Sequence, residues 1–301
     1  MFSKELYSKF RYLLSKNRNF NEICSELGLS DNEVMLLINS LKDNSIYIKL
    51  FGDVFEKRPS IDETTYHISL NKEHIRLALL GDTHLCSKND TIDLLTDTYY
   101  TIEEKNTDLV LHCGDFFDGL YPNIEDYYKC LRVSSYEGQL EYGTIYYPSY
   151  SNKTLVVSGN HDDYWYQLLH KEILSDLSKK REDIIYLGPN RRRIAINGLT
   201  IDLLHGDILQ NGKKNFTIGM YIRNIDEEKR PVIIHHGHTH YGSYNNIYGV
   251  RCYRTAAIMH ASPYILSKGY KNPMSFYFVD IDFDDNGKVK KIKHRKECVY
   301  K

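Results

Sequence analysis

Four histidines stand within six positions, at His235, His236, His238 and His240, directly after the apolar run Val232-Ile233-Ile234. Residues of a strand alternate faces, so a short strand running into a turn at Gly237 aims His238 and His240 at one point. Neutral imidazole is the commonest metal ligand. Alone, the stretch reads equally as a surface histidine cluster, so its meaning depends on partners elsewhere. Four earlier apolar runs supply them, each ending in a polar cluster beside glycine. Ile75 to Leu80 leads into Gly81-Asp82-Thr83-His84, and Leu109 to Leu111 into Gly114-Asp115-Phe116-Phe117-Asp118. Leu155 to Val157 leads into Gly159-Asn160-His161-Asp162, and Leu203-Leu204 into His205-Gly206-Asp207. In α/β sheets ligands bind outside the carboxyl ends of strands. Together these clusters bring carboxylates, an amide and several imidazoles, too many polar groups to bury together without a cation. Mixed oxygen and nitrogen donors suit manganese, iron or zinc rather than a thiolate site.

In this order the blocks resemble the calcineurin-like metallophosphoesterase superfamily, whose motifs are DxH, GDxxD, GNHD, a lone His and GHxH. The likeness spans residues 75 to 260. It implies an α/β fold, a four-layer αββα sandwich of mixed sheets, over residues 73–301. It further implies a dinuclear site: Asp82, His84 and His240 on one metal, Asn160, His205 and His238 on the other, and Asp115 between them. Manganese is the expected ion, with iron, zinc, nickel or magnesium as alternatives. Such a pair activates a bridging water and clamps an in-line displacement, hydrolysing a phosphoester by metal-bound hydroxide. In that scheme His161 does not ligate; it assists the leaving oxygen. Asp162 is expected to orient His161, or to cap the helix that Tyr164, Trp165, Leu168, Leu169 and Ile173 signal. Asp118 and Asp207 read as supporting or turn residues. His235 and His236 read as strand residues that could brace a ligand, His112 as a satisfied core histidine, Cys113 as structural, and His260 as a strand-end residue near the site.

Before this region, residues 1–72 read as a separate winged helix-turn-helix-like α+β domain. Leu6, Phe10, Leu13 and Leu14 recur at helical spacing. Asn19 with Glu22, and Ser30 with Glu33, are capping-box pairs that open two more helices across a Gly28-Leu29-Ser30 turn. Ile46-Tyr47-Ile48 and Thr65-Tyr66-His67-Ile68 read as the strands of a wing. Such a domain would contact DNA or a protein partner. Lys4, Lys9, Arg11, Lys16 and Arg18 gather in and after the first helix, while Asp31 to Ser45 offers a groove only Lys42 and three asparagines.

Composition narrows the rest. Lys+Arg 39 against Asp+Glu 40 leaves no global attraction to nucleic acid or anionic membrane. Six scattered cysteines without a CxxC read as reduced thiols of a cytoplasmic protein. No run reaches the roughly 20 apolar residues of a membrane span, and the first residues lack a signal-peptide pattern.

The substrate is harder to read. Protein phosphatases of the family carry Arg after the second block and Glu after GNH, where Gly119 and Asp162 stand here. Residues 116–150 form a Tyr-rich insert, read either as a cap burying itself or as a stacking platform for bases. Arg191-Arg192-Arg193 and Lys213-Lys214 are expected in loops, where they could hold phosphate. Asp285-Asn286-Gly287 marks a hairpin, and the basic run from Lys288 to Lys296 offers a charged edge. The expected substrate is nucleic acid, cut by a nuclease-like phosphodiesterase. One alternative is a phosphatase or phosphodiesterase of small nucleotides with the winged helix as regulatory or dimerising module. The other is a catalytically dead DNA-binding regulator, against which the intact ligand set argues.

Overall fold

A computed structural model describes residues 2–16, 18–40, 64–121, 127–206, 217–261, 266 and 273–299. Three helices come first: α1 (Lys4–Ser15), α2 (Phe20–Leu27) and α3 (Asp31–Ser40). The capping box of α2 is formed, with Asn19 Oδ1 accepting from Glu22 N at 2.9 Å and Glu22 returning to Asn19 N at 2.9 Å. Gly28 ends α2 in the left-handed conformation. Ser30 and Glu33 close the same kind of box before α3. Phe10, Leu13, Ile23, Val34 and Leu37 are buried between these helices.

From Tyr66 the chain runs β1 (Tyr66–Ile68), β2 (His74–Leu80), α4 (Ile92–Glu104), β3 (Leu109–His112), α5 (Tyr136–Tyr146) and β4 (Lys153–Ser158). It continues through α6 (Asp163–Leu169), α7 (Ile173–Lys180), β5 (Ile184–Pro189), β6 (Arg191–Ile196), β7 (Leu199–Leu204) and α8 (Ile218–Arg223). It ends with β8 (Ile233–His236), β9 (Ser243–Ile247), β10 (Val250–Arg254), β11 (Ser275–Phe283) and β12 (Val289–Cys298). Two mixed six-stranded sheets result, ordered β1-β6-β7-β8-β10-β9 and β12-β11-β2-β3-β4-β5.

The strand sequences explain the layering. In β2, Ile75, Leu77 and Leu79 alternate with Ala78 and Leu80, and both sets are buried. The first set joins Leu111, Leu155, Ile201, Leu203, Ile233 and Val279 in the core between the sheets. The second joins Val110 and Val156 under Leu95, Tyr99 and Ile102 of α4 and Leu177 of α7. Ile222 of α8 covers Leu204, Ile234 and Cys252 on the far face of the other sheet. This is the expected α/β sandwich, with helices outside both sheets. Among the described residues no helix is long and apolar enough to cross a membrane.

Three expectations change. Tyr66–Ile68, read as a wing strand, pairs in parallel with β6 at the edge of the first sheet, because its alternation matches Ile194 and Ile196 there. Its supposed partner Ile46-Tyr47-Ile48 lies outside the described residues, so α1 to α3 stand without a described wing. The single helix expected after GNHD is two, broken at His170, which sits in the left-handed region at φ 53°. Arg191 to Arg193 lie in β6 rather than a loop: Arg193 faces Asp202 across the antiparallel register and holds it through Nε at 2.6 Å and Nη2 at 2.9 Å. A cross-strand carboxylate thus lets a basic run enter a sheet. Lys213-Lys214 and Asp207 lie outside the described residues.

Candidate metal centre

The seven expected ligands converge where β2, β3, β4, β7 and β8 end. Asp82, His84, Asp115, His238 and His240 all have positive φ, between 44° and 75°. Non-glycine residues rarely adopt that region, at a cost of roughly 1–3 kcal/mol each, so the surroundings must hold them there. Backbone bonds between neighbouring loops do so. Asp82 N donates to Gly114 O at 3.0 Å, His84 N to Asp115 O at 3.0 Å, and His238 N to the Asp82 carboxylate at 2.9 Å. Glycine is required where the loops touch: a Cβ on Gly159 would run into the Asp115 carboxylate, and one on Gly237 into that of Asp82.

Two groups of donor atoms result. In the first, His84 Nε2 lies 3.0 Å from His240 Nε2, and His240 Nε2 lies 3.9 Å from Asp82 Oδ1. In the second, His205 Nε2 lies 3.0 Å from Asn160 Oδ1, 3.2 Å from His238 Nδ1 and 3.1 Å from Asp115 Oδ2. The same Asp115 oxygen is 3.7 Å from His84 Nε2, so it faces both groups. Asp82, Asp115 and His205 are buried.

The hydrogen bonds behind the ligands set which nitrogen is bare. His205 Nδ1 donates to the carbonyl of Cys113 at 2.8 Å, which a carbonyl can only accept, leaving Nε2 unprotonated in the neutral ring. His84 Nδ1 donates to Asp118 Oδ1 at 2.9 Å, with the same result for its Nε2. Asn160 Nδ2 donates to the Tyr121 hydroxyl at 2.5 Å, turning Oδ1 toward His205. In the neutral ring His205 Nε2 therefore faces the oxygens of Asn160 and Asp115, acceptors at about hydrogen-bond distance that call for a positive charge between them. A divalent cation resolves that arrangement, and ligand atoms roughly 3 Å apart suit bonds of about 2 Å to one ion. The residues present fit divalent metal ions.

Burial disfavours the charge of His238 and pushes it down to about 4, with His205 adding to the effect; burial also holds His240 well below its ordinary value. Both rings are thus neutral and ready to ligate. Burial opposes ionisation of Asp115 as well, but the charges of His205 and His161 outweigh it and hold the carboxylate well below its usual range.

His161 stands beside the ligands, its ring 4.4 Å from that of His84. Its Nδ1 donates to the backbone carbonyl of Asp118 at 2.9 Å and lies 3.4 Å from that residue's carboxylate. Burial lowers its proton affinity, yet Asp115 and Asp118 together raise it to about 9. Asp118, read as a supporting residue, therefore orients both His84 and His161. Asp162 does neither job expected of it. Its carboxylate makes no helix cap. It accepts from Phe117 N at 2.8 Å, Gly159 N at 2.9 Å and Phe116 N at 3.2 Å, clamping the loop of Asp115 to that of Asn160.

Tyr121 is the residue the motifs did not reveal. Its ring lies 4.4 Å from His161 and 3.8 Å from Tyr164, forming an aromatic wall beside the site. Its place in a Tyr-rich stretch was the available signal. Part of that stretch buries itself: Tyr136, Tyr147 and Tyr150 are buried, while Tyr128 and Tyr146 are exposed. His112 is buried, bonded to Thr83 Oγ1 and Gly114 N. His235 contacts Thr255 at 3.4 Å and His236 touches no ligand ring among the described contacts, so neither braces one. His260 is exposed, its N–H bonded to Asn89. All six cysteines are free.

The sandwich and the cluster at its strand ends define a metallophosphoesterase architecture. The family model for calcineurin-like phosphoesterases matches residues 75–267, and the chain belongs to that family. Among solved structures it is similar to an archaeal phosphodiesterase at 14% identity and TM-score 0.43, covering 74% of this chain and 99% of that one. It is similar to Vps29 of Entamoeba histolytica at 15% identity and TM-score 0.41, covering 75% and 100% of the two chains. A predicted phosphoesterase of Streptococcus pneumoniae TIGR4 aligns at 16% identity and TM-score 0.38, covering 74% and 98%. No curated protein matches the chain.

Proposed function

We propose that the protein is a dinuclear-metal-dependent phosphodiesterase acting on nucleic acid. The observation that carries the dinuclear reading is Asp115 Oδ2, which faces His205 at 3.1 Å and His84 at 3.7 Å and so can serve two ions at once. Asp82, His84 and His240 would hold one ion, and Asn160, His205 and His238 the other. Manganese suits this mixed donor set. When bound, such a pair supplies an activated water and offsets charge on the phosphoryl oxygens.

The chain's own residues do the rest. His161 is the general acid. With Nδ1 committed to Asp118, its Nε2 carries the proton given to the leaving oxygen. Asp118 holds that ring and the His84 ring in register. Tyr121 and Tyr164 present aromatic faces beside His161, where a base flanking the scissile phosphate would stack. The N-terminal helices are a docking module. Their bases are partly spent, since Arg18 pairs with Glu26 at 2.9 Å and Lys9 donates to the Glu26 carbonyl at 2.7 Å. That favours a protein over DNA as their partner.

The test loads the protein with Mn²⁺ and offers single- and double-stranded DNA, RNA and small phosphodiesters. Cleavage of a polymer is expected. Turnover of a dinucleotide or cyclic nucleotide with every polymer intact would replace this reading with the small-nucleotide one. His161→Ala should keep its metal while turnover falls by roughly 10²–10⁴; loss of metal would overturn the role given to His161.

A further inference from the structure

Helix α5 of the Tyr-rich insert buries one face, which carries Tyr136, Gln139 and Gly143 at helical spacing. Glycine is needed at the last of these, because a Cβ on Gly143 would run into the Phe117 ring. Tyr136 packs edge-on against Trp165 of α6, with ring centroids 5.5 Å apart. Between them Gln139 places an amide at the centre of the buried face, with none of its surface exposed. Burying an amide costs free energy unless it is bonded, and this one is bonded three ways. Its Nε2 donates to the carbonyls of Gly119 at 2.9 Å and Val133 at 3.0 Å, and its Oε1 accepts from Trp165 Nε1 at 3.0 Å. An indole N–H only donates and a carbonyl only accepts, so the amide can stand in one orientation alone.

The bond to Val133 stays within the insert. The other two leave it, and they reach the two segments that meet at His161. Gly119 follows Asp118, whose carbonyl accepts from His161 Nδ1 at 2.9 Å. Gly119 has φ 65°, and a Cβ there would run into the His161 carbonyl oxygen. Residues 118 and 119 thus touch His161 at its ring and at its backbone. Trp165 stands on α6, the helix that the chain enters directly after His161 and Asp162. A buried amide could serve only to pin the insert to the sandwich. Arg181 already does that at the insert's other end, through the carbonyls of Tyr147 and Pro148, whereas both outside partners of Gln139 flank one histidine.

We infer that Gln139 is a positioning residue for His161, and that the insert is thereby the buttress of the proton donor. The inference rests on the reading of His161 as general acid. When the phosphorus–oxygen bond breaks, its electron pair stays on the leaving oxygen, which takes the Nε2 proton of His161. Nε2 keeps its aim only while Nδ1 stays on the Asp118 carbonyl, and Gln139 holds the next carbonyl along the chain. A misplacement of about 1 Å can cost roughly 10²-fold in rate.

The experiment uses the full chain loaded with Mn²⁺ and two diesters that differ only in their leaving group, the p-nitrophenyl and the phenyl ester of thymidine monophosphate. The p-nitrophenolate leaves as a stable anion, whereas phenolate leaves readily only when it is protonated. Gln139→Met keeps the length of the side chain and removes all three bonds. Its kcat should fall by about 10–100-fold on the phenyl ester, while kcat on the p-nitrophenyl ester, KM for both and the metal content stay as in wild type. His161→Ala should show the same pattern with a larger loss. If Gln139→Met does not fold, Trp165→Phe removes only the donor that fixes the amide and carries the same comparison. A selective loss in His161→Ala, with an equal loss on both esters or none in the Gln139 variant, overturns the role of Gln139 alone; so does loss of metal from that variant. An equal loss on both esters in His161→Ala overturns the general-acid reading and this inference with it. A wild type that hydrolyses neither ester overturns the phosphodiesterase reading itself.

Discussion

The two donor groups of the candidate metal centre share one carboxylate, Asp115, but are braced differently. In the first half, His84 leans on the Asp118 carboxylate at 2.9 Å, and Asp82 accepts from His238 N at 2.9 Å. In the second, His205 leans on a backbone carbonyl at 2.8 Å, and Asn160 on the Tyr121 hydroxyl at 2.5 Å. A carboxylate behind an imidazole raises its basicity more than a neutral carbonyl does. One half is therefore held by charge. The other is held by neutral groups, and one of its braces comes from the insert. The lesson is that equal ligand counts need not give equal sites: the second half is expected to bind the weaker ion.

The largest effect should come from the residue that makes the comparison possible. Changing a supporting residue costs about 10–100-fold in metal affinity; Asp115→Ala removes a ligand from both halves and should weaken both ions by more than about 100-fold. Metal titration by calorimetry checks this, and retention of one tight ion would show that Asp115 serves a single half. Asp118→Asn should act next. It keeps the shape but removes the charge behind His84, so the first ion should weaken by up to about 100-fold. The second ion should hold, and turnover should fall because His161 loses the same support. Equal weakening of both ions would erase the distinction drawn here.

This contrast marks what was legible in the sequence. The convergence of the seven residues was readable because each follows an apolar run, and alternation plus a glycine turn leaves few ways to point such residues. The braces were not. Asp118 reaches His84 only because the β2 and β3 loops exchange backbone bonds such as Asp82 N to Gly114 O. Asp162 follows His161 directly, yet its carboxylate turns back onto the Phe116, Phe117 and Gly159 amides. Adjacency in the chain says little about which polar group a buried carboxylate finds. Tyr66–Ile68 failed for a related reason: three alternating residues suit any open sheet edge, and the edge it joins is formed by β6, far along the chain.

A change in overall stability should leave the comparison alone, which makes it the proper control. Arg181 donates to the Asp183 carboxylate through Nε at 2.8 Å and to the carbonyls of Tyr147 and Pro148, tying the end of the insert to the start of β5. Both side chains are largely buried, so Arg181→Ala should cost about 2 kcal/mol, or roughly 30-fold in the folding equilibrium. Burial would raise the Asp183 carboxyl, but bonds and charge from Arg181 outweigh it and hold the group below its ordinary value. A depressed folded value adds stability that is present above the unfolded value of about 3.9 and lost as pH falls through the folded one. The gap between wild type and Arg181→Ala in urea melts should therefore be full near neutrality and shrink below about pH 4. A gap independent of pH would mean that Arg181 acts through the carbonyls alone.

The smallest change is also the most selective. Tyr121→Phe removes one oxygen and keeps the ring against His161 and Tyr164. Asn160 then loses the acceptor that holds its amide nitrogen away from His205. Both amide orientations become accessible, and only one presents oxygen to the second ion. The expected cost is about tenfold in affinity for that ion, the lower end for a supporting residue. The first ion and the thermal midpoint should not change. Manganese electron paramagnetic resonance during titration separates a single from a coupled pair of ions, so the variant should show single-ion signal over a wider concentration range than wild type. Two ions bound as tightly as before would mean that Asn160 is held by its backbone alone. A loss shared by both ions would mean that Tyr121 supports the centre through packing on His161 rather than through its hydroxyl.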